Sequence, residues 1–456
     1  MKTKMIIFAL AMALASASVF ANGSSEKTTA AASGVQKVYW YAWTAPQNLI
    51  ALTTAFNKQF AGKYEFVPEK LADAATLTIN TALASGEPIS VMTQASAFDL
   101  RQRADSGVFM GLKKFFDKDG LSYATVFGKS VEETMNFNGD YYATPYANNI
   151  NMVFYNKKMF DAAGVPYPKA DWTWSDFRAI AKKLTSGSGA NKIYGAMLDV
   201  AKPNGDEYWA TIAQQKLGSF WYYNKDFKTT RFENPAVKES LQYFYDLFMV
   251  DQSAVPLSQY SALKYDNDTT GMKGLYSGRY AMWVAPVYGS LYLMKTYGEI
   301  PPGTDIGLAN LPRPDGFTHS VSTTYTSQAS IPKSTPNADA SWAALKYVTI
   351  DHAELYAGEK AMNPGYQFKT NAAADSFYKF IFGNKPGLDV SEAVQTMLLP
   401  RELISKDNTH IQGQAKINEL INSDMTLVFN GEMSVDAALQ DLQTKGDQFI
   451  AADQNK

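Results

Sequence analysis

The chain carries few residues suited to bond-breaking chemistry. His319, His352 and His410 are its three histidines, far apart and without the spacing of metal ligands. Cysteine is absent, which excludes a thiolate nucleophile and a disulfide framework alike. Neither common Gly-rich phosphate cradle occurs, nor does the pentapeptide of a nucleophile elbow. "DNDTTG" at 266–271 faintly resembles a calcium loop but lacks the later glutamate, and reads as a solvated loop. Glu132/Glu133 and Asp206/Glu207 could in principle form a glycosidase dyad, yet adjacent acids do not set a defined separation across a glycosidic bond. We expect no enzyme, no cofactor and no metal. The alternative is an exported carbohydrate-active enzyme such as a glycosidase, and a third class is a surface component that binds a macromolecule.

Aromatic residues are the more informative group. Tyrosine and tryptophan, 27 and 8 residues, together outnumber the 26 phenylalanines. Trp40 and Trp43 lie at the end of a predicted strand, and Tyr146 sits just before Asn148, Asn149 and Asn151. Tyr208 and Trp209 follow a loop, and "FWYY" comes soon after. Trp283 and Tyr288 flank Pro286, Tyr325 stands in "STTYTSQAS", and Tyr366 and Phe368 stand in "NPGYQF". Several neighbour Gly, Pro, Asn or Gln instead of lying on a helical stripe, whereas Phe177 and Phe244 are on stripes and read as core. Aromatic faces stack on the C–H faces of sugar rings, and amides and hydroxyls pair with hydroxyl groups. The combination points to a neutral polyhydroxy ligand. The Arg and Lys cluster expected for a phosphate ligand is missing.

These residues need elements to hold them. "VYWYAW" predicts a first strand, followed by a helix with Leu49, Leu52, Phe56 and Phe60 on one face. "YEFV" and "ISVM" predict the second and third strands, and helices stand between and after them. Such alternation argues for an open α/β sheet with a largely parallel core, whose ligands sit beyond the carboxyl ends of the strands. Here those ends are "AWTAPQ" and "TQASA". Further on, Thr173 and Asp176 resemble a capping box for a helix with Phe177, Ile180, Ala181 and Leu184 on its stripe. Asn234 and Pro235 open another helix, with Val237, Leu241, Phe244 and Phe248 on its stripe. "IYGAML", "YAMWVAP" and "DIGLANL" read as strands. The part after Asn363 reads as mostly helical, and Ser434 is the expected cap of the last helix.

At the N-terminus, Lys2 and Lys4 precede the apolar run "MIIFALAMALA", and "VFA" at 19–21 ends in small residues. This is the pattern of a cleavable secretory signal over residues 1–21, with a flexible polar leader over 22–35. No cysteine follows that a lipid could anchor, so the expected location is periplasmic and soluble. The formal net charge of −2 offers no basic field for nucleic acid or a membrane surface. A chain of 456 residues exceeds what one core supports, so two domains are expected.

The stretch "GDYYATPYANNINMVFYNKKMFDAAGVPYPKADWTWSDFRAIAKKL", 139–184, closely resembles the central signature of family 1 extracellular solute-binding proteins. These are the sugar-capturing subunits of ATP-binding-cassette importers. "AFNKQF", "LASGEPISVMTQ", "GLYSGRYAMWVAPVYG", "IPKSTPNADASWAALKYV" and "GEMSVDAALQD" resemble further family segments in the right order, with Ile89 in place of a usual aspartate.

The resemblance implies an α/β, two-lobed periplasmic-binding-protein fold. Each lobe would be an open, mostly parallel sheet flanked by helices, and the chain would cross between lobes three times, near Asn148, Thr326 and Gly365. The first lobe would comprise 36–147 plus 327–364, and the second 148–326 plus 365–456. The ligand-contacting positions it implies are Trp43 and Thr44 after strand one, Gln94 and Ser96 after strand three, and Tyr146 and Asn148 at the first crossing. Trp209 would wall the second lobe, Trp283 would lie in the loop after "YAM", and Tyr325 and Tyr366 would mark the second and third crossings. The implied function is capture of a sugar, an oligosaccharide or other neutral carbohydrate, by a monomer that delivers it to the membrane-spanning permease of the importer.

Overall fold

The computed structural model describes residues 34–44, 46–71, 75–94, 97–200, 208–262, 268–289, 303, 305–359, 362–383, 387–407 and 409–455. The expected signal, most of the leader and Ser96 lie outside them.

The strands, in chain order, are β1 (Gln36–Ala42), β2 (Tyr64–Lys70), β3 (Val91–Gln94), β4 (Asn136–Phe137), β5 (Asp140–Tyr141), β6 (Thr144–Asn156), β7 (Tyr194–Met197), β8 (Tyr280–Pro286), β9 (Ile306–Asn310), β10 (Val321–Ser330) and β11 (Glu402–Ser405). β1 alternates as a half-covered strand should: Val38, Trp40 and Ala42 are buried, while Tyr39 and Tyr41 are partly exposed. The helix Ile50–Gln59 buries Leu52 and Phe56, as its spacing predicts. Thr173 and Asp176 form the expected capping box, with Asp176 N–H donating to Thr173 Oγ1 and Thr173 N–H to Asp176 Oδ2. Asn234, Asn337 and Ser434 each accept a backbone N–H at the start of a helix. Each satisfies one of the donors that a helix N-terminus leaves open.

The main sheet runs in the order β2-β1-β3-β10-β6-β8-β7, with β11 added to β10 and β9 to β6. β1 pairs in parallel with β2 and β3, and β7 does so with β8. The parallel expectation therefore holds in the flanks. In the middle, β10 runs antiparallel to β3 and β6, and β6 antiparallel to β8 and β9. For β6 and β10 the reason is directional, since a strand leaving one core beside a strand returning to it must run the opposite way.

β6 is the organising element. Its residues from Thr144 to Ile150 pair with β10, and those from Asn151 to Asn156 pair with β8 and β9. All thirteen positions are buried. Its first part packs into a core drawn from residues Val38 to Ala147 and Ala329 to Tyr356. The second part packs into two cores built from later residues. One holds Val153, Phe177 and Phe244, and the other Phe154, Trp283 and Phe377.

The C-terminal part is helical except for β11, which the sequence analysis did not anticipate. β11 pairs in parallel with the start of β10. "ELIS" is too short to show a period-two pattern and joins the sheet through its neighbour. Among the described residues no helix is long and apolar enough to cross a membrane.

Candidate functional site

The three segments expected near Asn148, Thr326 and Gly365 lie side by side. Asn148 pairs with Thr326 across β6 and β10, its N–H donates to Asn363 O (2.9 Å), and Gly365 N–H donates to Tyr146 O (3.3 Å). A Cβ on Gly365 would stand 2.1 Å from Pro145 O, so only glycine lets the third segment approach the first this closely.

Polar side chains fill this junction. Thr324 Oγ1–H donates to Asn148 Oδ1 and to Asn149 O. Asn149 Nδ2 donates to Ser327 Oγ (3.1 Å), and Asn151 Nδ2 to Thr323 Oγ1 (2.8 Å). Asn151 Oδ1 accepts from Tyr208 OH (3.2 Å), so its amide is spoken for at both ends. Asn148 differs, because its Nδ2 finds no acceptor among the described residues and is not sealed from solvent.

Asp407, just past β11, is buried at the same place. Its Oδ2 accepts from Thr326 N–H (2.9 Å), Thr326 Oγ1 (2.6 Å) and Ser405 Oγ (3.2 Å). Burial pushes this carboxyl up to about 6, against the opposing pull of those donors and of the Lys406 charge. Lys406 itself holds its ammonium over the rings of Tyr208 (5.3 Å) and Tyr325 (5.8 Å). Tyr325 OH donates to Tyr288 OH (3.1 Å), and both rings remain partly exposed. Lys406 and Asp407 were missed by the sequence reading, which noted Tyr288 among the aromatics but not among the contact positions. Both missed residues lie in the segment read as helical, and β10 was not identified as their neighbour.

The expected contact residues divide into three groups. Thr44 and Tyr146 come together on Tyr356: Thr44 Oγ1 is 3.0 Å from Tyr356 OH, and Tyr146 meets that ring edge-on with centroids 4.9 Å apart. Burial raises both phenols, that of Tyr356 to about 12. Trp43 is partly exposed against the first core. Gln94 faces β10 opposite Gln328, and its Oε1 accepts from Arg103 Nη1 (3.0 Å). Tyr366, partly exposed, directs its hydroxyl to Glu354 Oε2 (3.5 Å).

Asn148 and Tyr325 belong to the junction described above. Trp209 and Trp283 stand apart from it as packing residues. Trp209 is fully buried edge-on against Trp221 (5.2 Å). Trp283 lies mid-strand in β8, buried against Phe154 (5.7 Å). Its ring packs on Gly271 and Gly289, where a Cβ would come within 3.0 and 3.2 Å. Trp283 was expected in a loop after the strand; it lies within the strand, and the two glycines make room for its ring.

Residues 42–351 match the family model described as bacterial extracellular solute-binding protein. The chain belongs to that family. Solved structures agree on the fold of this solute-binding protein. A substrate-binding protein from Listeria monocytogenes, in complex with cycloalternan, is 19% identical with a TM-score of 0.69, covering 91% of this chain and 99% of that one. A sugar transporter from Rhizobium etli in an open conformation is 22% identical with a TM-score of 0.71, covering 90% and 99%. The sugar-binding protein MalE from Xanthomonas citri is 18% identical with a TM-score of 0.71, covering 92% and 98%. No curated protein matches the chain. The solute-binding protein thus has the mixed α/β, two-lobed architecture of these structures.

Proposed function

We propose that this protein captures a carbohydrate between two lobes and delivers it to the permease of an ATP-binding-cassette importer. The observation that carries the reading is the partly exposed Tyr325–Tyr288 pair in the junction that also holds Asn148, whose Nδ2 meets no acceptor among the described residues. Aromatic faces next to neutral amides suit a sugar ring and its hydroxyls. The solved structures that share the fold include sugar binders, which supports the same class.

Lobes of 36–147 plus 327–364 and of 148–326 plus 365–456 meet at the β6–β10 junction in this reading. A ligand held by both would shift the equilibrium toward closure. Thr44, Gln94, Ser96, Trp43 and Tyr146 contribute from the first lobe. Asn148, Tyr325, Tyr366, Tyr288 and Lys406 contribute from the junction and beyond. The protein acts as a monomer in the periplasm after loss of residues 1–21.

A thermal-shift panel of mono- and oligosaccharides tests this. Free ligand at 100 times its dissociation constant adds about 2.7 kcal/mol to stability. No shift from any sugar or polyol rejects the reading, and release of smaller sugars during incubation would make the protein an enzyme instead.

A further inference from the structure

A second concave site has none of the junction residues in its lining and meets the proposed sugar contacts at the Arg103–Gln94 hydrogen bond. It is a cavity of about 610 Å³ between the helices Ala75–Ala84 and Ala97–Asp105 and the turn that follows β10. Arg103 and Lys333 line it, together with Asn80, Gln102, Ser106 and Asp99. Lys333 sits past the end of β10 that is remote from Thr326, and its Nζ would be 3.5 Å from a Cβ on Gly107.

Arg103 is the unusual member. It is 7% exposed, and its carboxylate-free partners are two neutral amide oxygens: Nε donates to Asn80 Oδ1 (3.1 Å) and Nη1 to Gln94 Oε1 (3.0 Å). A guanidinium has five N–H donors in a planar fork. The remaining ones meet no acceptor among the described residues. Burying a cation this way costs free energy unless an anion completes its shell. Asp99 offsets part of that cost through its charge without bridging to Arg103. Lys333 makes no ion pair among the described residues and is exposed at the rim. The cavity therefore holds two cations to one carboxylate.

We propose that this cavity binds a small oxyanion, a phosphate or carboxylate group, with the Arg103 fork at its base and the Lys333 ammonium closing over it. Recognition of either group by a guanidinium fork is favourable, and the Ser334 hydroxyl and Gln102 amide in the lining supply further donors. Arg103 and Lys333 are 230 positions apart in the chain, so no local cluster announces the site.

The test is a titration of the purified mature protein with sodium phosphate and, separately, sodium acetate, in sodium chloride that keeps ionic strength constant. Thermal stability and binding heat are both read. We expect saturable stabilisation by one of the two, which identifies the group recognised. We expect affinity for it to fall about tenfold in Lys333→Ala. That exposed position should leave the unliganded melting temperature unchanged. Absence of saturable binding by both anions, or equal affinity in Lys333→Ala, overturns the proposal. Sugar binding at the junction can succeed or fail independently of either result.

Discussion

Single side chains at the junction differ in what they leave available. Asn151 uses both ends of its amide on Thr323 and Tyr208, whereas Asn148 keeps Nδ2 free of any described protein acceptor. Asn148→Ala should therefore weaken sugar binding about tenfold, the loss of roughly one hydrogen bond. Calorimetry showing unchanged affinity would place the ligand elsewhere. Trp209→Ala should act on folding, lowering stability by about 3–5 kcal/mol in denaturant titrations. Trp283→Ala should do likewise, contrary to what a loop platform would give. The sequence showed which residues are aromatic and that several neighbour glycine. It did not show whether glycine there makes a loop or makes space for a ring, because both use the same missing Cβ. Thr44, Tyr146 and Asn148 were named from the family resemblance; the structure puts Thr44 and Tyr146 on Tyr356 and Asn148 in the junction. Lys406 and Asp407 were not named, since their role depends on a strand pairing with partners some eighty residues away.

At the scale of elements, helices with caps and stripes were read correctly, because their signals are local. β11 was invisible for the opposite reason, being four residues stabilised by β10. Its consequence is Asp407, a buried carboxyl raised to about 6 from an ordinary value of 3.8. In the pH range between these values the folded state binds more protons at this site than the unfolded chain. The contribution of Asp407 to stability is thus fully present at low pH and is lost as pH rises through about 6. His410 works in the other direction. Burial lowers its imidazole to about 4, so its contribution is lost as pH falls below the ordinary value of 6.5. The two are separated by substitution: the stability of Asp407→Asn relative to wild type should rise between pH 4 and pH 7, measured by urea unfolding at both. A constant difference would show that the carboxyl does not titrate there. Gly365→Ala tests the contact between the third segment and Pro145. It should destabilise by about 1–3 kcal/mol, read as a lower urea midpoint, through the overlap a Cβ creates with Pro145 O.

For the whole molecule, the composition implied two domains, and the interleaving of segments followed from family resemblance, not from any linker. Among the described residues β6 and β10 pass through the middle of the sheet as strands, β6 wholly and β10 mostly buried, so neither has the composition of a linker. If the lobes close on a ligand as proposed, small-angle scattering should show a smaller radius of gyration when a stabilising sugar is added. An unchanged radius with tight binding would reject closure.

β6 also sets the kind of change the fold can absorb. One strand carries two hydrogen-bonded ladders end to end, one with β10 up to Ile150 and one with β8 and β9 from Asn151 onward. Side chains alternate with a period of two, so one residue inserted between them would turn every later position of the strand to its opposite face. Val153 and Phe154, which face different cores, would exchange places. The two halves are geared to each other through a single register. Substitution at this seam leaves the register intact, but insertion or deletion there would unmake both cores' relation at once, whereas exposed loops elsewhere leave room for chain length to drift.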